Sequence, residues 1–215
     1  MLNEYLKKIL SSRVYDVAEE TPVHTATFLS ERLENQIWIK REDKQPVYSF
    51  KIRGAYNKVV QLTDEEKARG VIAASAGNHA QGLALAAKKL GIKAVIVMPR
   101  TTPEIKVKSV KARGARVILH GDAFDEAFQY SQKLVEEKGY TYIHPYDDPE
   151  TIAGQGTVGM EILRQMPVRP DAIFIPVGGG GLIAGIAAYV KYLRPDIKVI
   201  GAEPQDSACL QAAMA

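Results

Sequence analysis

An α/β fold built on a parallel sheet with helices on both faces is what the sequence predicts, and three observations predict it. Short runs rich in Val and Ile alternate with longer segments of helical period along the whole chain. Two of those runs, Ala94–Met98 and Ala172–Val177, are almost wholly apolar, as strands buried on both faces are. The second of them leads through four glycines into a helical segment, a turn that open parallel sheets use at ligand sites.

The elements follow in order. Tyr5, Leu6 and Ile9 form the apolar stripe of a first helix, and Ile37–Lys40 is the first strand candidate. Phe50–Gln61 reads as a helix. Thr63 with Glu66 reads as a capping box for a short helix through Arg69. Strand Val71–Ala74 precedes helix His79–Leu90, which Gly91 stops. After strand Ala94–Met98, Thr102 with Pro103 and Glu104 reads as an N-cap followed by proline at the first helical position. That helix runs through Arg113 to a stop at Gly114. Strand Arg116–Leu119, helix Phe124–Lys138, strand Thr141–Ile143 and helix Ile152–Gln165 come next. Strand Ala172–Val177, helix Leu182–Leu193 and strand Lys198–Ala202 complete the alternation. A last helix is expected from Asp206 or Ser207. It meets Ala215 with no C-cap, glycine or polar tail, so the complete protein is expected to continue beyond it. Joints are expected at His144–Pro149 and Gln165–Pro170, which suggests a smaller unit of about residues 55–145.

Composition narrows the function classes. The chain has 215 residues, 46% hydrophobic and 25% charged, as in an ordinary globular protein. With 28 basic against 25 acidic residues, its charge gives no reason to expect nucleic acid or an acidic membrane as partner. A single cysteine allows no internal disulfide, no apolar run is long enough to span a bilayer, and the N-terminus lacks a secretory core. A soluble cytoplasmic protein is therefore expected. His24, His120, His144 and Cys209 lack metal-ligand spacing and read as structural, Cys209 as a buried or interface thiol. Asp147 and Asp148 read as a solvated turn.

Three motifs carry chemistry. In the first, strand Ile173–Val177 runs into Gly178-Gly179-Gly180-Gly181-Leu182 and then a helix. Glycines let the backbone approach a ligand closely, and the free amides at a helix start suit a phosphate. The spacing Gly179-x-Gly181-x-x-Ala184, with Glu203 ending the next strand, also fits the relaxed dinucleotide fingerprint, so a nicotinamide or flavin domain stands as a rival. In the second, Ser49-Phe50-Lys51-Ile52-Arg53-Gly54-Ala55 places two cations at a helix start, where the dipole opposes them. A lysine held there has a reason for a depressed pKa, which a Schiff-base lysine needs; a solvated surface lysine is the plain alternative. In the third, Ser75-Ala76-Gly77-Asn78-His79 offers amides and a side-chain amide to a carboxylate, or simply an Asn N-cap. His79 is expected to line the pocket beside Asn78.

The order of these three motifs resembles the serine/threonine dehydratase family of pyridoxal-phosphate enzymes, with the tryptophan-synthase-β-like fold, fold type II. Lys40-Arg41-Glu42-Asp43-x-Gln45-Pro46-Val47, Ala153-Gly154-Gln155-Gly156-Thr157 and Asp206-Ser207-Ala208-Cys209-Leu210 look like the biosynthetic threonine dehydratases within it. The resemblance covers roughly residues 5 to 215 and sets the dinucleotide rival aside. It implies that Lys51 bonds pyridoxal 5'-phosphate as a Schiff base and that Asn78 meets the ring's 3′ oxygen. Gly178, Gly179, Gly180, Gly181 and Leu182 would hold the phosphate, while Ser75, Ala76, Gly77 and His79 would shape the pocket for the substrate carboxylate.

The implied activity is a carbon–nitrogen lyase reaction, L-threonine to 2-oxobutanoate and ammonia, with L-serine as a secondary substrate. In this family that is the committed step toward isoleucine. The resemblance also implies that residues 1–54 and 146–215 belong to a larger, incomplete domain around a smaller α/β domain of residues 55–145. It further implies that a C-terminal module that senses isoleucine and the serine that meets the pyridine nitrogen are to be expected outside these 215 residues. The complete enzyme is expected to be a homo-oligomer, and this chain alone to turn over little. A serine racemase of the same family would carry a serine where this chain has Ala76. A non-catalytic binding fragment is the reading from another class.

Overall fold

The computed structural model describes residues 2–215. The helices are α1 (Leu2–Leu10), α2 (Thr27–Arg32), α3 (Lys51–Val60), α4 (Asp64–Arg69), α5 (Asn78–Leu90), α6 (Glu104–Ala112), α7 (Phe124–Lys138), α8 (Pro149–Gln165), α9 (Gly181–Leu193) and α10 (Cys209–Met214). The strands are β1 (Val23–Thr25), β2 (Trp38–Lys40), β3 (Val71–Ala74), β4 (Ala94–Met98), β5 (Arg116–Leu119), β6 (Thr141–Tyr142), β7 (Ala172–Pro176) and β8 (Lys198–Ala202).

Strands β3 to β6 form a parallel sheet in the order β5-β4-β3-β6, with Ile72 facing Val95 and Val97 facing Ile118. One apolar layer lies beneath Leu83, Ala84 and Ala87 of α5 and Val107 and Val110 of α6. The opposite layer joins Ile72, Val95 and Val97 to Ala127 and Leu134 of α7. The parallel sheet with helices on both faces is therefore present as the alternation requires. A second parallel pair, β7-β8, packs Ile173 and Ile175 against Val158 and Ile162 of α8 and Ile186 and Val190 of α9. A third pair, β1-β2, is antiparallel, so the strand expected at Ile37–Lys40 sits outside the parallel alternation; β1 and α2 had no readable signal.

Local signals met mixed outcomes. The Thr63 capping box forms, and Gly91 takes the left-handed conformation that ends α5. Thr102 does not cap α6: Pro103 occupies the cap position and the Thr102 hydroxyl is buried without a partner. Helix α8 starts earlier than expected, because Asp148 caps it through the amides of Glu150 and Thr151 and pairs with Lys58 at 2.7 Å. Asp148 is thus a structural cap and not part of a solvated turn. Strand β7 is buried on one face only, with Phe174 70% exposed on the other. Cys209 is exposed, not buried. Among the described residues no helix is long and apolar enough to cross a membrane.

Candidate active site

Three loops leave the C-terminal ends of parallel strands: Ser75–Gly77 after β3, Ile143–Asp148 after β6 and Val177–Gly180 after β7. Ligand crevices of parallel sheets lie at those ends. Lys51, the first residue of α3, reaches the second of them.

Helix α3 has no side-chain cap; Phe50 holds the cap position, and the Ser49 hydroxyl accepts from the Lys51 amide at 3.3 Å. Helix α5 passes so close that a Cβ at Gly82 would lie 3.1 Å from the Lys51 carbonyl. The Lys51 Nζ donates to the Pro145 carbonyl at 2.7 Å and lies 5.5 Å over the Phe50 ring. Burial pushes the amine down to about 8. The depressed value foreseen for a lysine at a helix start is present, but burial is its cause.

In the loop after β3, Gly77 and not Asn78 occupies the cap position of α5, with the Gly77 amide donating to the Ser75 hydroxyl at 3.2 Å. Ser75, Ala76 and Gly77 are half-buried. Asn78 is exposed, and its side chain makes no hydrogen bond among the described residues. His79 is buried, with Nε2 at 2.9 Å from the Ile143 carbonyl. A carbonyl only accepts, so Nε2 carries the proton and Nδ1 stays buried without a partner. Burial, with the charges of Lys51 and His144 adding to it, pushes the imidazole down to about 4 despite the Ile143 contact. The ring is neutral at neutral pH.

The glycine loop divides into positions with different causes. Gly180 sits at φ +85°, where glycine is favoured. A Cβ at Gly179 would lie 2.1 Å from the Tyr146 ring, and one at Gly181 would lie 2.9 Å from the Tyr146 backbone. Around Gly178 and Gly180 a Cβ would meet nothing within 4 Å, so both face open space. Helix α9 then begins without a side-chain cap, leaving the amides of Gly181, Leu182 and Ile183 without intrahelical acceptors. The Leu182 side chain turns into the apolar cluster below. An open approach to uncapped amides at the positive end of a helix fits an anion.

The segment Ile143–Tyr146 ties the three motifs together, although from His144 onward the sequence marks it as a joint. His79 holds Ile143, Lys51 holds Pro145, and the Tyr146 ring lies on the glycine loop. His144 accepts from the Asp147 amide at 2.8 Å and packs edge-on to Tyr146 at 4.6 Å. Its alternation of aromatic residues with proline was the available signal. Glu203, the acid of the dinucleotide rival, instead caps α10 by accepting from the amides of Leu210 and Gln211.

A family model described as pyridoxal-phosphate dependent enzyme matches residues 14–215. The chain is 62% identical over 207 residues to the biosynthetic, chloroplastic threonine dehydratase 1 of Solanum lycopersicum, covering 96% of this chain and 34% of that protein. The structure of the processed form of threonine deaminase isoform 2 from Solanum lycopersicum superimposes with a TM-score of 0.92 at 56% identity, over 94% of this chain and 56% of the other. Maize serine racemase gives 0.91 at 39% identity, over 98% of this chain and 64% of the other. The chain spans between 34% and 42% of the length of the curated relatives it matches.

Proposed function

Because the chain belongs to the family of pyridoxal-phosphate-dependent enzymes, we propose that the protein is a threonine dehydratase, a lyase that takes L-threonine to 2-oxobutanoate and ammonia on the path to isoleucine. The observation that carries this reading is the half-buried Lys51 amine, lowered to about 8, held on the same loop whose Tyr146 lies against the glycine turn. An amine of that pKa is partly neutral at physiological pH, as attack on an aldehyde requires. When bound, the cofactor supplies an electron sink for charge developing at the substrate Cα.

The chain's own groups have defined tasks. The uncapped amides of Gly181 and Leu182, reached past the open backbone of Gly178 and Gly180 and beside Gly179, would bind the phosphate. Lys51 would bond the cofactor and then, once freed, accept the Cα proton at Nζ. The unengaged amide of Asn78 would meet the ring's 3′ oxygen. Ser75, Ala76, Gly77 and neutral His79 would form the pocket for the substrate carboxylate, with the His79 Nε2–H fixing Ile143 and not passing a proton to the substrate. Ala76 has no ionisable atom, which favours elimination over racemisation. L-Serine, smaller by one methyl, should react more slowly, since a methyl is worth only about 1–3 kcal/mol in a pocket. The proposal includes the division into residues 55–145 against 1–54 and 146–215, and a homo-oligomeric complete enzyme in the cytoplasm.

Borohydride reduction of the complete, cofactor-loaded enzyme should fix pyridoxal phosphate to a Lys51 peptide; the complete enzyme should yield 2-oxobutanoate from L-threonine and form no D-serine from L-serine. An adduct formed at equal yield by Lys51→Ala would remove Lys51 from its role. Rapid D-serine formation would replace the dehydratase by a racemase.

A further inference from the structure

Arg53 lies two residues beyond Lys51 on α3 and is fully buried. Residues two apart on a helix are about 200° apart around its axis, so the two side chains leave on opposite sides. Lys51 goes to the loop after β6, while Arg53 enters a cluster between β2 and α8. Its Nε donates to Glu42 at 2.8 Å, and its Nη2 to the other Glu42 oxygen at 2.8 Å. On its other side Nη1 and Nη2 donate to the two oxygens of Glu161 at 2.5 and 2.9 Å. The Thr157 hydroxyl takes the remaining Nη1 donor at 3.1 Å, and the Glu19 carbonyl shares the Nη2 donors at 3.1 Å. Glu161 is itself fully buried and also accepts from Lys40 at 2.5 Å and Tyr15 at 2.7 Å. Burial works against the Arg53 charge, yet its bonds to Glu42 and Glu161 and their charges raise its pKa, so the guanidinium stays charged.

Such a cluster calls for a reason beyond stability, because a buried ion pair is often no more stabilising than an apolar replacement. The reason lies at the helix start. Two cations in the first turn of α3 oppose its dipole, and no side chain caps it. Arg53 is held by bidentate contacts on two sides, which fix both position and angle. Its backbone is seated as closely: a Cβ at Gly154 of α8 would lie 2.7 Å from the Arg53 carbonyl, and one at Gly54 would lie 2.4 Å from the Gln155 amide.

We propose that Arg53, clamped by Glu161 and Glu42, is a positioning residue that sets the angle at which Lys51 presents its amine toward the glycine loop. The proposal rests on Lys51 being the cofactor-bearing amine. The anion site on the glycine loop lies outside the cluster, so the cluster governs the rate of covalent attachment and not the affinity of the initial phosphate contact.

The test follows attachment of pyridoxal phosphate to the full, cofactor-stripped chain by visible absorbance, over a range of cofactor concentrations, with borohydride mapping of the adduct. Arg53→Lys keeps the charge without the fork geometry, Glu161→Gln keeps the shape without the charge, and Tyr15→Phe removes one bond at the edge. Arg53→Lys and Glu161→Gln should lower the saturating rate by roughly tenfold to a hundredfold, the range that about 1 Å of misplacement costs, and leave the half-saturating concentration unchanged. Tyr15→Phe should show a smaller fall of the same kind. A Leu134→Ala control on α7, remote from the cluster and matched in lost melting temperature, should keep the wild-type rate. If Glu161→Gln does not fold, the other two variants decide. Wild-type saturating rates in them, an equal fall in the control, or a change confined to half-saturation would each overturn the positioning role. An adduct that maps away from Lys51 in the unaltered protein would overturn the Lys51 reading instead.

Discussion

Strands β4 and β7 read almost alike in the sequence and end in different surroundings. Ala94–Met98 is buried at every residue, whereas in Ala172–Pro176 burial alternates and Phe174 is left 70% exposed. Strand β4 has β3 and β5 on its two edges and helices on its two faces. Among the described residues, strand β7 pairs with β8 alone and meets α8 and α9 on one face. An apolar run therefore marks a strand, but the number of its buried faces depends on what is set against it.

The comparison is sharpest at one residue of each strand. Ile96→Ala, at a fully buried position of β4, should cost about 2–5 kcal/mol in chemical denaturation, the range for truncating a core aliphatic side chain. A loss within about 0.5 kcal/mol would contradict the covered sheet.

The site between the two sheets supplies the next effect, with opposite sign. Lys51 has an ordinary pKa of 10.5 and is lowered to about 8 by burial. Below pH 8 it is protonated in both folded and unfolded chains, so the folded chain bears the cost of a buried charge. Between pH 8 and 10.5 the unfolded chain holds more protons, and stability rises with pH. Lys51→Met in the cofactor-free protein should therefore stabilise by about 1–3 kcal/mol at pH 7. That gain should fade as pH approaches 10.5. A gain that does not change with pH would point to apolar contact in place of charge burial.

Smaller effects complete the series. Thr63→Ala should cost about 1 kcal/mol by removing the cap of α4, a local term that either sheet would tolerate. Phe174→Ala, the partner of the Ile96 test, should change stability by no more than about 0.5 kcal/mol, as at other open surface positions. A loss as large as that of Ile96→Ala would show the outer face of β7 to be covered in solution, and so break the comparison.

Within the candidate site the same division holds. The glycine turn, Lys51 at a helix start and the Ser75–His79 loop were legible, because each is a local string with local chemistry. The Ile143–Tyr146 segment was not, because its importance comes from partners far away in sequence: His79, Lys51 and the glycine turn. Arg53 was visible only as one more cation in a motif, since Glu42 and Glu161 come to it from elsewhere in the chain. Asp148 was misread for a related reason: its cap on α8 depended on a helix start that the strong later pattern had hidden.

The sequence by itself determined the α/β alternation, the parallel sheet, the capping box and the three motifs. All of these follow from periodicity, glycine freedom and helix-end chemistry acting over a few residues. Only the tertiary structure decided which apolar strand is covered twice, why Gly179 and Gly181 have no room for a side chain, and what neutralises Arg53. It also decided why the Lys51 amine is depressed. Burial and close contact are properties of neighbours, and the neighbours of β4, Tyr146, Arg53 and Lys51 are chosen by the fold and not by adjacency in the chain.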